Sequence, residues 1–332
     1  MLSLAELKEK AAAVTWLVKG AVPAESVGVL FGASGTFKSF IALDLALHVA
    51  HGIKWMGRKT KQAPVVFIAA EGGAGLWRRI EAWHRHRGIN WEDAQIYVVP
   101  VSVDLAKECD RVIEAAKAVG VVPGLVVVDT LSQTFDGEEN SASEMAAYLR
   151  GLGAWFRDSW GCAVLVIHHS GHMATERPRG SSAIRCNVDF MFGCHRDEKE
   201  MLATLSNAKQ KDGELAADQM FAMTVFELGR DEDDDPLTAL VASAVLSEEE
   251  KQELVRHEAQ RGRSGRNSQL LAMVDNGMTE KELRAVFYEA CGDLKDADSR
   301  RQAYFRARKW AESAGFIEVV QGRVLMLKGA SA

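Results

Sequence analysis

Short apolar runs alternate with amphipathic stretches along the chain from residue 27 to residue 193. Each run is continuously apolar, which is typical of strands in a parallel sheet whose two faces are both covered by helices. The predicted strands are Val27–Phe31, Pro64–Ala70, Ile96–Pro100, Leu125–Asp129 and Ala163–His168. The predicted helices span residues 39–51, 76–87, 104–118 and 142–157. This alternation predicts an α/β fold with a doubly wound sheet.

The pattern changes after residues 188–193. Three further runs, 201–209, 219–227 and 237–246, are separated by an Asp212-Gly213 turn and by the acidic run 231–235. Asp-Gly is a strong turn signal between strands. We therefore predict antiparallel strands that extend the sheet, and we interpret the acidic run as a solvent-exposed loop.

The chain is predicted to contain two domains. The first, residues 1–246, includes the sheet and an N-terminal helical arm in residues 3–19, which could pack on its own domain or on a neighbouring subunit. Residues 247–268 are charged and then rich in Gly, Ser and Arg, as in a flexible linker. Residues 269–332 predict three helices followed by two short strands, the layout of a winged-helix domain.

Composition places the chain among ordinary globular proteins. Its length of 332 residues suits about two domains. The five cysteines are scattered and form no C-x-x-C pair, so neither a disulfide framework nor a zinc site is indicated, and reduced thiols fit best. The N-terminus lacks a signal-peptide pattern, and no apolar run approaches the ~20 residues of a membrane span. We therefore expect a cytoplasmic protein without a membrane partner.

Charge is unevenly distributed. The whole chain has a formal net charge of −6, yet residues 251–332 contain 15 Lys and Arg against 11 Asp and Glu. The third helix of this region carries a basic set that could face DNA phosphates: Arg300, Arg301, Arg306, Arg308 and Lys309. This distribution is compatible with three interpretations: contact with an acidic polymer, a solvated surface, or a winged helix that docks on another protein.

The strongest candidate site is the turn between the first strand and the first helix. Its residues are Phe31, Gly32, Ala33, Ser34, Gly35, Thr36, Phe37, Lys38 and Ser39. A strand, a glycine-rich loop ending in Lys-Ser and a helix place backbone N–H groups at a helix N-terminus, where they stabilise a bound phosphate. Lys38 is predicted to reach the β- and γ-phosphates and Ser39 to ligate Mg²⁺.

One position departs from the usual loop pattern, because Phe37 stands where a glycine is expected before the lysine. Its ring must point away from the phosphates. Taken alone, the turn could also be an ordinary connection between a strand and a helix.

Two strand-end carboxylates complete a nucleotide site. Asp129 ends an apolar strand and is predicted to hold Mg²⁺ opposite Ser39. Glu71 ends the strand 64–70 at the same sheet edge, where ligands of open α/β sheets bind. It is the candidate base that orients the attacking water, with a helix-capping role as the alternative.

Two further motifs follow later strands. His168 and His169 end the strand that begins at Ala163, and a histidine there can sense a γ-phosphate; a metal site is the weaker alternative because no ligand lies at suitable spacing. The loop 171–180 that follows could touch nucleic acid or be plain surface.

Lys209 and Lys211 lie at another strand end, and in a ring of subunits they could neutralise charge at the neighbour's phosphate site. Ordinary solvated lysines are the alternative.

The order and spacing of these motifs resemble RecA-fold hexameric helicases, in particular the RepA-like ATPases of phages and plasmids related to DnaB-type helicases. The resemblance covers about residues 16–246. The segments that carry it are 32–46, 68–72, 126–132, 167–171, 179–183 and 208–213.

The resemblance implies a RecA-like P-loop NTPase core that uses ATP and Mg²⁺. It implies that Glu71 is the catalytic glutamate, Asp129 the Walker B aspartate, His168 or His169 the γ-phosphate sensor, and Lys209 with Lys211 the basic pair acting on the next subunit. Two residues depart from the family pattern. Phe37 replaces a glycine, and Lys211 stands where DnaB-type chains have an arginine, in a segment that resembles Lys-Gln-Arg-Asn-Gly.

The expected function is that of a ring-forming, hexameric DNA helicase or translocase in phage or plasmid replication, with single-stranded DNA in its centre. A primase or a replication initiator would be a further partner on a separate chain. Two alternatives stay open: an ATP-controlled DNA-binding regulator or helicase loader, and a RecA-like recombinase, which predicts filaments instead of closed rings.

Overall fold

The apolar runs build one large sheet of ten strands. The computed structural model describes residues 3–4, 15–71, 73–171, 174–178, 183–196, 201–247, 251–252, 255–256, 265–294 and 296–327. Most of the expected helical arm lies outside these residues. Its last residues form a short strand, β1 (Trp16–Val18), which pairs antiparallel with β2 (Val22–Pro23).

The large sheet mixes a parallel core with an antiparallel extension. Its strands are β3 (Val27–Gly32), β4 (Val65–Ala69), β5 (Ile96–Val99), β6 (Leu125–Asp129), β7 (Ala163–Gly171), β8 (Ala174–Pro178), β9 (Phe190–Arg196), β10 (Leu202–Gln210), β11 (Gln219–Arg230) and β12 (Pro236–Ala244). The order is β12-β11-β10-β9-β3-β7-β6-β4-β5, and β8 pairs with β7. The six strands from β9 to β5 are parallel, and β10, β11 and β12 continue the sheet in antiparallel fashion. The predicted extension is therefore confirmed.

Helices cover both faces of the parallel core, as a doubly wound sheet requires. Helices α1 (Lys38–His51) and α2 (Gly73–Arg87) pack on one face. Helices α3 (Leu105–Ala118) and α5 (Ala142–Leu152) pack on the other. Short helices α4 (Leu131–Thr134) and α6 (Ala183–Asn187) follow β6 and precede β9. The predicted helix 142–157 changes character after Leu152, where one π-helical turn spans Gly153–Arg157.

The C-terminal elements follow the predicted order. They are α7 (Gly265–Met273), α8 (Glu280–Ala290), α9 (Ala297–Ser313) and an antiparallel pair, β13 (Ile317–Val320) and β14 (Arg323–Met326). They share a separate hydrophobic core. Helix α7 begins within the predicted linker 247–268, most of which lies outside the described residues.

The capping signal predicted for the second of these helices is confirmed. Thr279 Oγ1 accepts a hydrogen bond from the Glu282 backbone N–H, and Glu282 accepts one from the Thr279 backbone N–H. This reciprocal pair satisfies two donors that a helix start otherwise leaves open.

The C-terminal elements contact the sheet domain directly. The Leu246 backbone N–H donates to Met326 O (2.7 Å), and Asn276 Nδ2 donates to Leu246 O (3.1 Å). His86 on α2 lies 3.0 Å from the Glu318 carboxylate on β13. Among the described residues, no helix is both long and apolar enough to cross a membrane.

A buried carboxylate joins α1 to its neighbours. Asp44 is 1% exposed and accepts hydrogen bonds from the indoles of Trp83 (2.8 Å) and Trp55 (3.0 Å). The Arg87 guanidinium donates to it as well (2.8 Å). Burial lowers the pKa of the nearby His48 to about 4, so at neutral pH Arg87 is the cation that balances Asp44.

We expect Asp44→Ala to lower the free energy of unfolding by about 3–5 kcal/mol, because it leaves the buried Arg87 charge and two indole N–H groups without their acceptor. Urea unfolding followed by tryptophan fluorescence measures this. Asp136→Ala is the matched control, since it breaks an exposed ion pair with Lys107 (2.7 Å) and should leave the unfolding midpoint unchanged. Equal midpoints for Asp44→Ala and the parent would show that this carboxylate does not hold α1 in place.

Candidate nucleotide-binding site

The glycine-rich turn forms a loop between β3 and α1, at the carboxyl edge of the sheet. Gly32 is required by close approach, because a Cβ there would lie 2.3 Å from the backbone oxygen of Cys194 on β9. Gly35 has a φ of 76°, a conformation that favours glycine. Helix α1 begins at Lys38, so its first N–H groups face the loop. This geometry fits the binding of an anion.

Lys38 folds back into the loop. Its Nζ donates to Gly32 O (3.0 Å) and Ala33 O (2.7 Å), and the side chain is 4% exposed. Burial lowers the pKa of Lys38, and the carboxylates of Asp129 and Glu71 oppose that shift. The ammonium group is thus held where phosphate oxygens would enter the loop.

Phe37 takes up the unusual position in a left-handed conformation, with φ 68°. The Arg196 guanidinium, at the end of β9, lies 4.4 Å from the centre of its ring, and Phe40 contacts the ring edge. Arg196 also donates to Gly35 O (3.3 Å). A non-glycine residue at positive φ costs roughly 1–2 kcal/mol, and these ring contacts offset that cost. The ring is buried between the loop and its neighbours at 9% exposure.

The loop is tied to the sheet through Ser39. Its hydroxyl donates to Asp129 Oδ1 at 3.1 Å. The pKa of Asp129 is raised to about 6, mainly by burial; the Ser39 hydrogen bond opposes the shift, and the Glu71 charge adds to it. A hydroxyl and a carboxylate are hard oxygen ligands suited to Mg²⁺. Within the described part of the chain no group of three or more His, Cys, Asp or Glu side chains could hold a metal, so phosphate and water oxygens would complete the coordination.

Glu71 lies beside Asp129. The Glu71 backbone N–H donates to Asp129 O (3.2 Å), and the Thr130 hydroxyl donates to Glu71 Oε1 (2.8 Å). Thr130 Oγ1 also contacts Ser132 Oγ at 2.9 Å. The carboxylate is therefore oriented from the strand that carries Asp129, while its own side chain remains exposed to solvent. This is a suitable position for a group that accepts a proton from water.

The two histidines face opposite sides of β7. His168 is opposite Phe31 in the β3–β7 register and is buried at 1% exposure with the residues that pack under α5. His169 is opposite Gly32, where the loop begins, and alternation places it on the face covered by α1. The register brings only His169 to the side of the sheet that carries the loop.

Lys209 and Lys211 lie at the other end of the sheet. Lys209 Nζ donates to Arg185 O (2.6 Å) at the end of α6, and Lys211 Nζ pairs with Asp189 at 3.1 Å. The Asp189 carboxylate accepts a hydrogen bond from the Val27 backbone N–H, at the start of β3. The loop follows the opposite end of that strand, roughly 20 Å away at 3.3 Å per residue. Neither lysine therefore reaches the loop of its own chain.

Sequence reasoning missed three residues that shape the site. Thr130 follows Asp129 directly, so the sequence could have predicted its position beside the site. Cys194, whose thiol donates to Thr36 O (2.9 Å), and Arg196 gave no signal, because they reach the loop only through the pairing of β9 with β3. The loop 171–180, proposed to touch nucleic acid, and the segment 179–183 fall mostly outside the residues whose side chains are described.

Comparisons with known proteins place the chain in a family. A family profile described as an AAA domain matches residues 2–175, which include the loop, Glu71, Asp129 and both histidines. Because the match spans more than half of the chain, the chain belongs to this AAA domain family and is a P-loop nucleoside triphosphatase. Among solved structures, the RadB recombinase is similar with 20% sequence identity and a TM-score of 0.46; the match covers 60% of this chain and 88% of that one.

We expect Arg196→Ala to weaken ATP binding about fivefold, because the Phe37 ring loses its cation and the loop loses a donor to Gly35 O. In a Phe37→Gly background the same change should have a smaller effect, since glycine adopts the left-handed conformation without support. Nucleotide dissociation constants for the four proteins of this cycle measure the coupling. Arg196→Lys keeps the charge but not the planar group, so its dissociation constant for ATP should lie between those of the parent and Arg196→Ala. Equal effects in both backgrounds would contradict a link between Arg196 and Phe37.

Proposed function

We propose that the chain is an ATP-driven motor that assembles into a ring, acts on single-stranded DNA and serves as a helicase or translocase in phage or plasmid replication. The observation that carries the proposal is the position of Glu71. It lies beside Asp129, within the same site as Lys38 and Ser39, and is oriented by Thr130. A site that only binds nucleotide does not need a carboxylate held in this way.

ATP with Mg²⁺ would supply the bond to be cleaved and the cation that neutralises charge on the phosphates. Lys38 and the loop N–H groups bind and orient the phosphates, and Ser39 with Asp129 holds the cation. Glu71 orients the attacking water and accepts its proton. His169 senses the γ-phosphate, because it lies on the loop side of β7 at the level of Gly32.

Lys211 acts on the phosphate site of the next subunit in the ring. Its side chain is 62% exposed and its ion pair with Asp189 lies at the surface, so it can exchange partners at low cost. Lys209 has a different task, since it holds carbonyl groups around α6. The hexamer, the linker and the C-terminal winged helix complete the proposed assembly, with a primase or replication initiator as a separate partner.

A DNA-bound regulator or helicase loader is the second candidate. It is favoured by the C-terminal unit, whose helices α8 and α9 expose arginines that have no ion pair among the described residues, Arg301 and Arg306 among them. In this case ATP would control assembly, and turnover would be slow.

We expect ATP hydrolysis that single-stranded DNA stimulates. Glu71→Gln should lower the turnover by a factor of about 100 or more while nucleotide binding is retained, because only proton transfer is lost. Lys38→Ala should abolish binding and turnover together. Steady-state phosphate release with and without oligothymidine tests this, and Glu114→Gln, on the exposed surface of α3, is the matched control. Slow hydrolysis that ignores single strands would favour the regulator instead.

We further expect Lys211→Ala to lower DNA-stimulated hydrolysis at least about tenfold without changing the unfolding midpoint, whereas Lys209→Ala should lower both. Mixing Lys211→Ala with Lys38→Ala subunits should restore part of the activity. The first variant supplies an intact loop and the second an intact Lys211 at a shared interface. No recovery on mixing, with mixed rings shown by cross-linking, would contradict action between subunits.

A further inference from the structure

A concave groove lies between α8 and α9 in the C-terminal unit. Its volume is about 630 Å³, within the range of specific ligand sites. The α8 side is formed by residues spaced one turn apart, including Arg284 and Tyr288, and the α9 side by Arg301, Tyr304 and Phe305. The groove shares no lining residue with the nucleotide loop, and the proposed ATP chemistry makes no use of it.

The groove carries an excess of uncompensated positive charge. Arg308 is paired with Glu280 in the groove and with Glu312 beside it, so it is not a free cation. Arg284 and Arg301 have no ion pair or hydrogen bond among the described residues. The remaining acidic residue of the groove, Asp298, lies in the first turn of α9, where the helix dipole stabilises it. An anionic ligand therefore fits the groove.

The lining is also aromatic. Phe305 is 64% exposed, which is unusual for a ring of this size on a helix that has its own packed core. Tyr288 meets Tyr304 edge to face, with 6.1 Å between ring centres. The Tyr304 hydroxyl is buried and has no hydrogen-bond partner among the described residues. An exposed ring and free guanidinium groups therefore occur together at one surface.

We propose that this groove binds single-stranded DNA. A base stacks on Phe305, and the backbone phosphates contact Arg284 and Arg301. Aromatic platforms flanked by cations are the usual means of holding unstacked bases. A duplex is a poorer fit. Its major groove admits a protruding protein element such as a helix, whereas the protein surface between α8 and α9 is concave. An acidic peptide would satisfy the arginines but would not use the exposed ring.

This inference rests on the proposed function for its choice of ligand, a DNA strand, but it does not require ATP hydrolysis. The test is fluorescence anisotropy of labelled oligothymidine with the full chain, without nucleotide and over a range of salt. We expect Phe305→Ala and Arg284→Ala each to weaken binding about tenfold, and Arg284→Ala also to reduce the salt dependence by about one released ion. Tyr304→Phe, which keeps the ring, should weaken binding less than either.

Lys281→Ala is the matched control, because it removes one positive charge from an exposed position of α8 outside the groove. Its binding should equal that of the parent. The inference is overturned if Phe305→Ala and Arg284→Ala bind oligothymidine as the parent does, or if a duplex or a labelled polyglutamate binds more tightly than the single strand with the same sensitivity to these variants.

The outcomes separate this inference from the proposed function. The Lys38→Ala chain, which should not hydrolyse ATP, is expected to bind oligothymidine through the groove as the parent does. Groove-dependent binding together with hydrolysis that ignores DNA would overturn the motor and support the groove. DNA-stimulated hydrolysis that is unaffected by the groove variants, with unchanged strand affinity, would do the reverse.

Discussion

The hydrogen bond between Ser39 and Asp129 is the contact on which the site depends, and the sheet makes it possible. Ser39 lies in α1, which follows β3, and Asp129 ends β6; these two strands are not neighbours, since β7 lies between them. They meet because all three strands are parallel and end at one edge, so that whatever follows each strand is brought together. The same alignment sets Ala69, at the end of β4, opposite Asp129 and so delivers Glu71 to the site.

This edge also explains how the chain tolerates a phenylalanine in its phosphate loop. Strand β9, which lies next to β3, supports the loop. Its Cys194 thiol and Arg196 guanidinium donate hydrogen bonds to loop carbonyl groups, and Arg196 also contacts the Phe37 ring. A glycine at position 37 would need no such support. The Phe37 ring contacts both Arg196 and Phe40, and these contacts support its left-handed conformation. The departure from the family pattern is thus matched by a residue that lies far away in the sequence.

The sequence predicted the parts of this structure that depend on local pattern. Continuous apolar runs identified the parallel strands, and the Asp-Gly turn together with the acidic run identified the antiparallel extension. Strand ends identified Asp129 and Glu71 as candidates, because the carboxyl ends of parallel strands meet at one edge of the sheet. The pairing of distant strands could not be read in this way. This pairing determines which histidine lies on the loop side of β7, and it brings Arg196 to Phe37. It also places Lys209 at the end of a helix and leaves Lys211 at the surface. The buried Asp44 network was equally hidden, since nothing local shows that three side chains converge on one carboxylate.

Helix α2 connects the ends of the molecule. Arg87, in its last turn, donates to Asp44 on α1, the helix that begins at the phosphate loop, and His86 contacts Glu318 of the C-terminal unit. Adjacent residues of one helix thus hold the loop helix on one side and the C-terminal ribbon on the other. Because α2 follows directly after Glu71, the segment that carries the proposed base is anchored at its far end to both. A DNA strand bound between α8 and α9, as proposed, would therefore be connected to the ATP site through these contacts of α2.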